Sequence, residues 1–356
     1  MVGLSVALGL LQAGQKVTVL DGEDGDFRAS QGNFGLVWLQ GKGANYAPYA
    51  KLSYLAVQQW SQLASLLKDL SGLDVSLDQS GGFEFFTDPA EFDEFKDQLK
   101  SQHDHLGGQV SHDVLTGEEL RKMHPEIGQD VVGATFCAHD GHVNPLRLLG
   151  SLQRAVTNLG GQIISGMTVS NVASITGGGF SLSTMAGNTF YADRVVLCAG
   201  LGSAKLAPQL GFKSVVRPQR GELLITEKLG SRIPFLSSTI RQVDEGGVQI
   251  GGTKADTGYD NSETLEVMCG LAKHAVAVLP ALADVRVIRA WGALRVLSPD
   301  GYPVYTQSPE KPGAYMVTCH SGVTLAPFHV SGLVDWIQNA SNAPDLGAFD
   351  EARFAV

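Results

Sequence analysis

Asp21 closes a short apolar run, Lys16-Val17-Thr18-Val19-Leu20, and stands 18 residues after Gly3. An acid at the end of a strand accepts hydrogen bonds from ribose hydroxyls. A glycine about 20 residues earlier lets the intervening helix pack closely on the sheet. The pair is the second half of a dinucleotide-binding unit. Its first half, a strand and the glycine turn that seats a pyrophosphate on the helix N-terminus, is not found ahead of Gly3. The expectation is a sequence that begins inside its own fingerprint, from a start codon taken too far downstream. As written it should bind its nucleotide weakly or fold poorly, until extended by roughly one strand and turn. A helix, a strand and an Asp suit any α/β protein, so these residues alone leave the chemistry open.

Other residue types narrow the field by exclusion. Cys137, Cys198, Cys269 and Cys319 form no C-x-x-C pair, which speaks against zinc and against a disulfide framework and for a reduced, cytoplasmic chain. His103 and His105, like Glu91 and Asp93, are two apart, but no further ligand pattern surrounds them, and a solvated surface is the simpler reading. The net charge of -10 with scattered Lys and Arg excludes the clustered basic face that nucleic acid requires. The apolar start, residues 1–13, lacks the Lys or Arg that opens a signal peptide. No run reaches bilayer length, so no transmembrane segment is expected; peripheral association with a membrane stays open.

The elements that must position these groups follow from periodicity and punctuation. Residues 2–13 suit a helix with Gly3 and Ala7 on one face, and 17–20 a buried strand. A Gly-, Ser- and Asn-rich loop, 22–43, comes next, then one long helix over 49–70. Residues 81–87 alternate as a strand and 89–106 form a charged helix. Thr116 with Glu119 makes a capping box. Asn144-Pro145 opens a helix that runs to Gly160. Strands are expected at 162–165, 168–175, 194–197, 217–226, 248–253, 285–290 and 314–318, with a last helix over 330–337.

With 356 residues, 44% hydrophobic and 17% charged, the chain has enough apolar content for two cores. The alternation predicts an α/β fold: a Rossmann-like nucleotide domain, its first strand missing, interleaved with an α+β substrate domain of mainly antiparallel sheet. The nucleotide domain takes residues 1–80, 141–217 and 291–356, and the substrate domain 81–140 and 218–290.

Several segments, in order, resemble the FAD-dependent oxidases and dehydrogenases of amino acids, the family of D-amino acid oxidase, glycine oxidase and sarcosine oxidase. Ser30-Gln31-Gly32-Asn33-Phe34-Gly35 resembles the loop that runs beside the flavin. Met167-Thr168-Val169 resembles the strand whose backbone meets the adenine. Val195-Val196-Leu197-Cys198-Ala199-Gly200 resembles the second cofactor fingerprint. His320-Ser321-Gly322-Val323-Thr324-Leu325-Ala326-Pro327 resembles the last loop, whose amides and helix N-terminus face the flavin's pyrimidine edge. The resemblance implies non-covalent FAD held by Gly3, Asp21, Ser30, Asn33, Gly35, Val169, Ala199, Gly200, Ser321, Gly322, Val323 and Thr324, with no metal. Residues 32–38 with Gln40-Gly41-Lys42-Gly43 resemble, more narrowly, the catalytic subunits of D-hydroxyproline dehydrogenases and opine oxidases. That implies partner subunits in a hetero-oligomeric dehydrogenase.

The resemblance also implies the substrate site. Trp291-Gly292-Ala293-Leu294-Arg295, followed by Ser298-Pro299-Asp300-Gly301-Tyr302-Pro303, is similar to the segment that supplies the carboxylate-binding Arg. Arg295 is therefore expected to hold a small amino or imino acid by its planar fork; a structural ion pair with Asp300 is the alternative. His320, beside the flavin loop, would tune the flavin, polarise substrate or anchor the loop. Tyr259 and Tyr302 are candidates to cap the substrate. Arg220 is expected to be structural, Gly251-Gly252-Thr253 to end a strand facing the flavin, and Cys319 to be a buried small hydrophobe. The implied reaction is oxidation of a C–N bond in D-hydroxyproline, D-proline or a similar D-amino acid. The competing readings are a non-catalytic or opine-type flavoprotein subunit and, with less support, a nicotinamide-dependent dehydrogenase.

Overall fold

In the computed structural model, which describes residues 1–22 and 28–354, the small-residue segment at the start forms the helix Val2–Gln12. It lies against the helix Ala326–Val330. A Cβ at Gly9 would stand 2.1 Å from the carbonyl oxygen of Val330, so it is Gly9 that permits this approach. On its other side Leu4 and Leu8 join Leu148, Leu152 and Val156 of the helix Pro145–Asn158, together with Trp60 and Leu67, in one buried cluster. Each such leucine contributes about 1.5–3 kcal/mol by leaving water. Asn144 caps Pro145–Asn158 by accepting from the amides of Leu146 and Arg147, both at 3.2 Å.

Short parallel pairings carry the nucleotide-type part of the fold. Thr18–Leu20 pairs with Gln162–Ile164. Val195–Leu197 pairs with the strand Ala314–Thr318, whose other edge takes Val304–Gln307 antiparallel. An antiparallel meander, Val169–Ser174, Phe180–Thr184 and Thr189–Ala192, lies between them in sequence.

The remaining sheets are antiparallel. One has the order Ile240–Gln242, Gly247–Ile250, Arg217–Lys228, Val287–Leu297. The other has Gly82–Phe86, Gly133–Cys137, Asp113–Thr116. A bridge between Phe83 and Ser237 joins the chain of the first to the second. Phe83, Phe85, Phe235 and Ile250 bury a second core under the helix Leu265–Val278. This is the expected α/β architecture with mainly antiparallel sheet in its second part.

Several elements differ from expectation. The single helix over 49–70 is two, Ala47–Gln58 and Trp60–Ser71, meeting at Gln59; Trp60 is fully buried at the junction, where its indole donates to the Thr324 carbonyl at 3.1 Å. The loop over 22–43 contains a two-residue strand, Leu36–Val37, paired with Gly141–His142; residues 23–27 of that loop lie outside the described residues. The strand over 285–290 continues to Leu297, which puts Arg295 on the sheet. The helix over 330–337 breaks at Ser331 into Ala326–Val330 and Gly332–Gln338.

Candidate active site

The segments singled out for the cofactor converge. Asp21, just past its strand, accepts the Met167 amide on its backbone oxygen at 2.7 Å. Gly22 lies on Thr168, whose Oγ1 would be 3.2 Å from a Cβ there, so Asp21 stands beside the start of the strand that begins at Val169. The Asp21 carboxylate pairs with Arg28. At the other end of the helix–strand contact, a Cβ at Gly3 would meet the Cys198 Cβ at 3.2 Å. Ala199 and Gly200 follow in a short 3-10 turn whose Gly200 lies against Val296.

The loop around Asn33 is fixed from both sides. Asn33 accepts the Gly35 amide on its side chain at 2.6 Å and the Gln249 amide on its carbonyl at 3.4 Å. Gly35 has φ 92°, a left-handed conformation that side chains resist, and a Cβ there would stand 2.3 Å from the Val143 carbonyl. Arg241, buried, donates to that same carbonyl and to Gln249. Ser30 accepts from the Met1 amino group at 3.1 Å.

The last loop closes over these elements. Gly322 packs on Val2, 3.1 Å from where a Cβ would sit. Thr324 donates to the Leu36 carbonyl at 3.2 Å, and its hydroxyl receives the Trp38 amide at 3.4 Å. Ser321 is shared by Lys42 and Tyr49: its Oγ lies 2.7 Å from each. The turn is sealed behind by the Leu325 amide on the Ser321 carbonyl and the Ala326 amide on that of Val323, both at 3.0 Å. Among the described residues, the amides of Gly322, Val323 and Thr324 donate to no acceptor.

A cluster of cations adjoins this loop. His320 is exposed, and Lys42, Arg295 and Lys254 all stand near enough to disfavour its charged form, beside the desolvation that lowers its pKa. Arg295, half-buried, is lowered by desolvation. It donates to the Arg220 carbonyl at 3.3 Å, and among the described residues it forms no ion pair. Asp300 is instead paired with Arg353 at 2.8 Å, so it is not the partner of Arg295. Arg220 is structural, paired with Glu222 at 3.2 Å and Asp260 at 2.8 Å. Tyr302 stacks on Tyr46 with centroids 4.6 Å apart, and Tyr259 is surface-exposed. Two clefts, of about 500 and 520 Å³, lie apart from this cluster, along Asp78, His142 and Arg232 and along Asn33, Pro145 and Arg241; neither is lined by Arg295 or His320.

The fold and sequence comparisons agree with this layout. Residues 1–333 match the family described as FAD dependent oxidoreductase, DAO. The chain belongs to the DAO family. An opine oxidase subunit from Rhizobium meliloti is 38% identical to this DAO-family chain over 355 residues, 99% of this chain and 95% of that one. Among solved structures, glycine oxidase from Geobacillus kaustophilus superposes with a TM-score of 0.88 at 22% identity, covering 98% of this chain and 95% of that one. Iminodiacetate oxidase from Chelativorans sp. gives 0.85 at 19%, covering 98% and 96%.

As a DAO-family protein the chain is an FAD-dependent oxidoreductase acting on amino acid C–N bonds. Its residues fit the cofactor: three unpartnered amides at the 322–324 turn can meet an anionic ring edge, while glycines 3, 35 and 322 let the surrounding elements pack closely on one another. Sequence reasoning quoted Lys42 only within a resembling segment, Gly41-Lys42-Gly43, and gave Lys254 and Gly221 no role.

Proposed function

We propose that this DAO-family chain oxidises the C–N bond of a small amino or imino acid, D-proline, D-hydroxyproline or a similar D-amino acid, with the substrate carboxylate held by Arg295. One observation supports the reading: Arg295 stands near enough to His320, beside the 320–324 loop, to repel its charged form, and among the described residues it forms no ion pair. A half-buried cation without a counter-ion is suited to a ligand that supplies one, and a guanidinium fork matches a carboxylate with two hydrogen bonds. Bound FAD supplies the acceptor for the hydride that leaves the substrate α-carbon. The protein's share is to orient that carbon and to keep the site dry.

A second reading, an opine-type oxidase component working with partner subunits, is favoured by the 38% identity to the opine oxidase subunit along nearly the whole chain. Both readings make the same first prediction. The purified protein carries oxidised-flavin absorption that candidate amines bleach without oxygen. If no amine among D-proline, D-hydroxyproline, glycine and iminodiacetate reduces the flavin, the catalytic reading fails. Arg295→Lys should raise KM about tenfold or more with FAD retained, since a point charge replaces the fork.

A further inference from the structure

We propose that Lys254 is a second carboxylate receptor beside Arg295, so that the substrate of this site is a small amino or imino acid carrying two carboxylates, one for each cation. This assignment rests on the function proposed above, with Arg295 as its first pole, and narrows the class of substrate.

The register of the sheet places Lys254. Arg220 and Ala255 form an antiparallel bridge, in which each amide donates to the other's carbonyl, at 2.9 and 3.0 Å. One step along, Lys254 stands opposite Gly221 and on the same face of the sheet. On its other edge Gly221 pairs with Ala293, and Gln219 with Arg295, so Arg295 rises from this face too. Its guanidinium comes to rest over Gly221: a Cβ there would stand 2.8 Å from the central carbon and 2.8 and 2.9 Å from the two terminal nitrogens. The Arg220 carbonyl that takes the Ala255 amide also takes an Arg295 N–H, at 3.3 Å. The two cations therefore flank one glycine, with the Lys254 Cβ about 5 Å away, the spacing of a cross-strand pair. Both also stand near enough to His320 to disfavour its charged form.

The acids nearby are engaged elsewhere. In the segment that carries Lys254, Asp256 pairs with Arg217 at 3.1 Å and Asp260 with Arg220 at 2.8 Å. Glu84 senses Lys254, but among the described residues the two form no ion pair. The third cation of the group, Lys42, is committed to Ser321 at 2.7 Å and Tyr49 at 3.4 Å. Arg295 and Lys254 are left side by side, each without an acid. Two like charges so placed repel one another. A ligand with two carboxylates relieves that repulsion by giving each cation its own charge-assisted partner, whereas a monocarboxylate answers only one.

Glutarate and butyrate test this on the FAD-loaded protein: they differ by one carboxylate, and neither has an amine to oxidise. Calorimetry should show glutarate binding about fivefold or more tightly, the worth of one further charge-assisted contact at an exposed lysine. Lys254→Met should abolish that preference while leaving the affinity for butyrate unchanged, and Lys254→Arg, which keeps the charge, should retain it. Equal binding of the two ligands by the unaltered protein, or a preference that survives in Lys254→Met, overturns the Lys254 assignment alone. Binding of neither ligand overturns the carboxylate site at Arg295 and the Lys254 assignment with it.

Discussion

The guanidinium of Arg295 lies over the backbone of Gly221, close enough that a Cβ at 221 would stand 2.8 Å from its central carbon. In the sheet, Gly221 faces Ala293 and Gln219 faces Arg295, so the side chain leans one step along the neighbouring strand, and only a glycine leaves it that place. Gly221→Ala should therefore displace Arg295 without touching it chemically. The expected result is a rise in KM for the amino acid substrate of about tenfold, with FAD content unchanged, because a positioned bidentate contact is lost while the cofactor cradle is not. Steady-state kinetics with a flavin absorbance spectrum measures both; an unaltered KM would show that the carboxylate binds elsewhere.

Lys42 offers a handle on the cofactor. Its ammonium donates to Ser321 at 2.7 Å, directly under the turn whose three amides lack acceptors. Reduced flavin gains negative charge at its pyrimidine edge, and a nearby cation stabilises it. Lys42→Met should make the flavin potential more negative by about 30 mV or more, which for two electrons corresponds to about 1.4 kcal/mol. Spectroelectrochemical titration measures this without turnover, and an unchanged potential would place Lys42 outside the reach of the flavin.

The sequence made the framework legible where local rules suffice. The capping box at Thr116 and Glu119 is present, with the Glu119 side chain 2.8 Å from the Thr116 amide, and Asn144-Pro145 does open its helix, because caps are decided within four residues. The break at Gln59 was not legible. Helical periodicity runs through it, and the indole contact to Thr324 spans 264 residues of chain. The site divides the same way. Gly35 and the 320–324 turn were legible through the resemblance of their segments to the family's loops. The grouping of Lys42, Lys254 and Arg295 around His320 depends on strand order, which no spacing encodes.

Acid stability provides the last prediction, through a histidine away from the chemistry. His329 is fully buried; its Nε2 meets the Tyr305 hydroxyl at 2.9 Å, while Nδ1 has no partner among the described residues. Desolvation pushes its pKa down to about 3 from the ordinary 6.5. The unfolded chain takes up this proton as pH falls below 6.5, whereas the folded chain resists until about 3. The stability contributed by neutral His329 is therefore complete above 6.5 and is lost progressively as pH falls toward 3. Each unit of that interval is worth about 1.4 kcal/mol, roughly 2 °C in Tm for a chain of this size. His329→Gln, which keeps a hydrogen-bonding end for Tyr305 but does not titrate, should be less stable at pH 7.5. Its Tm deficit should narrow by about 2 °C per unit as the pH is lowered from 6.5 to 4.5. The other depressed histidines, His112, His139, His142, His274 and His320, remain in both proteins and cancel in the difference. A deficit that stays constant with pH would mean that His329 is protonated or solvated in the folded state.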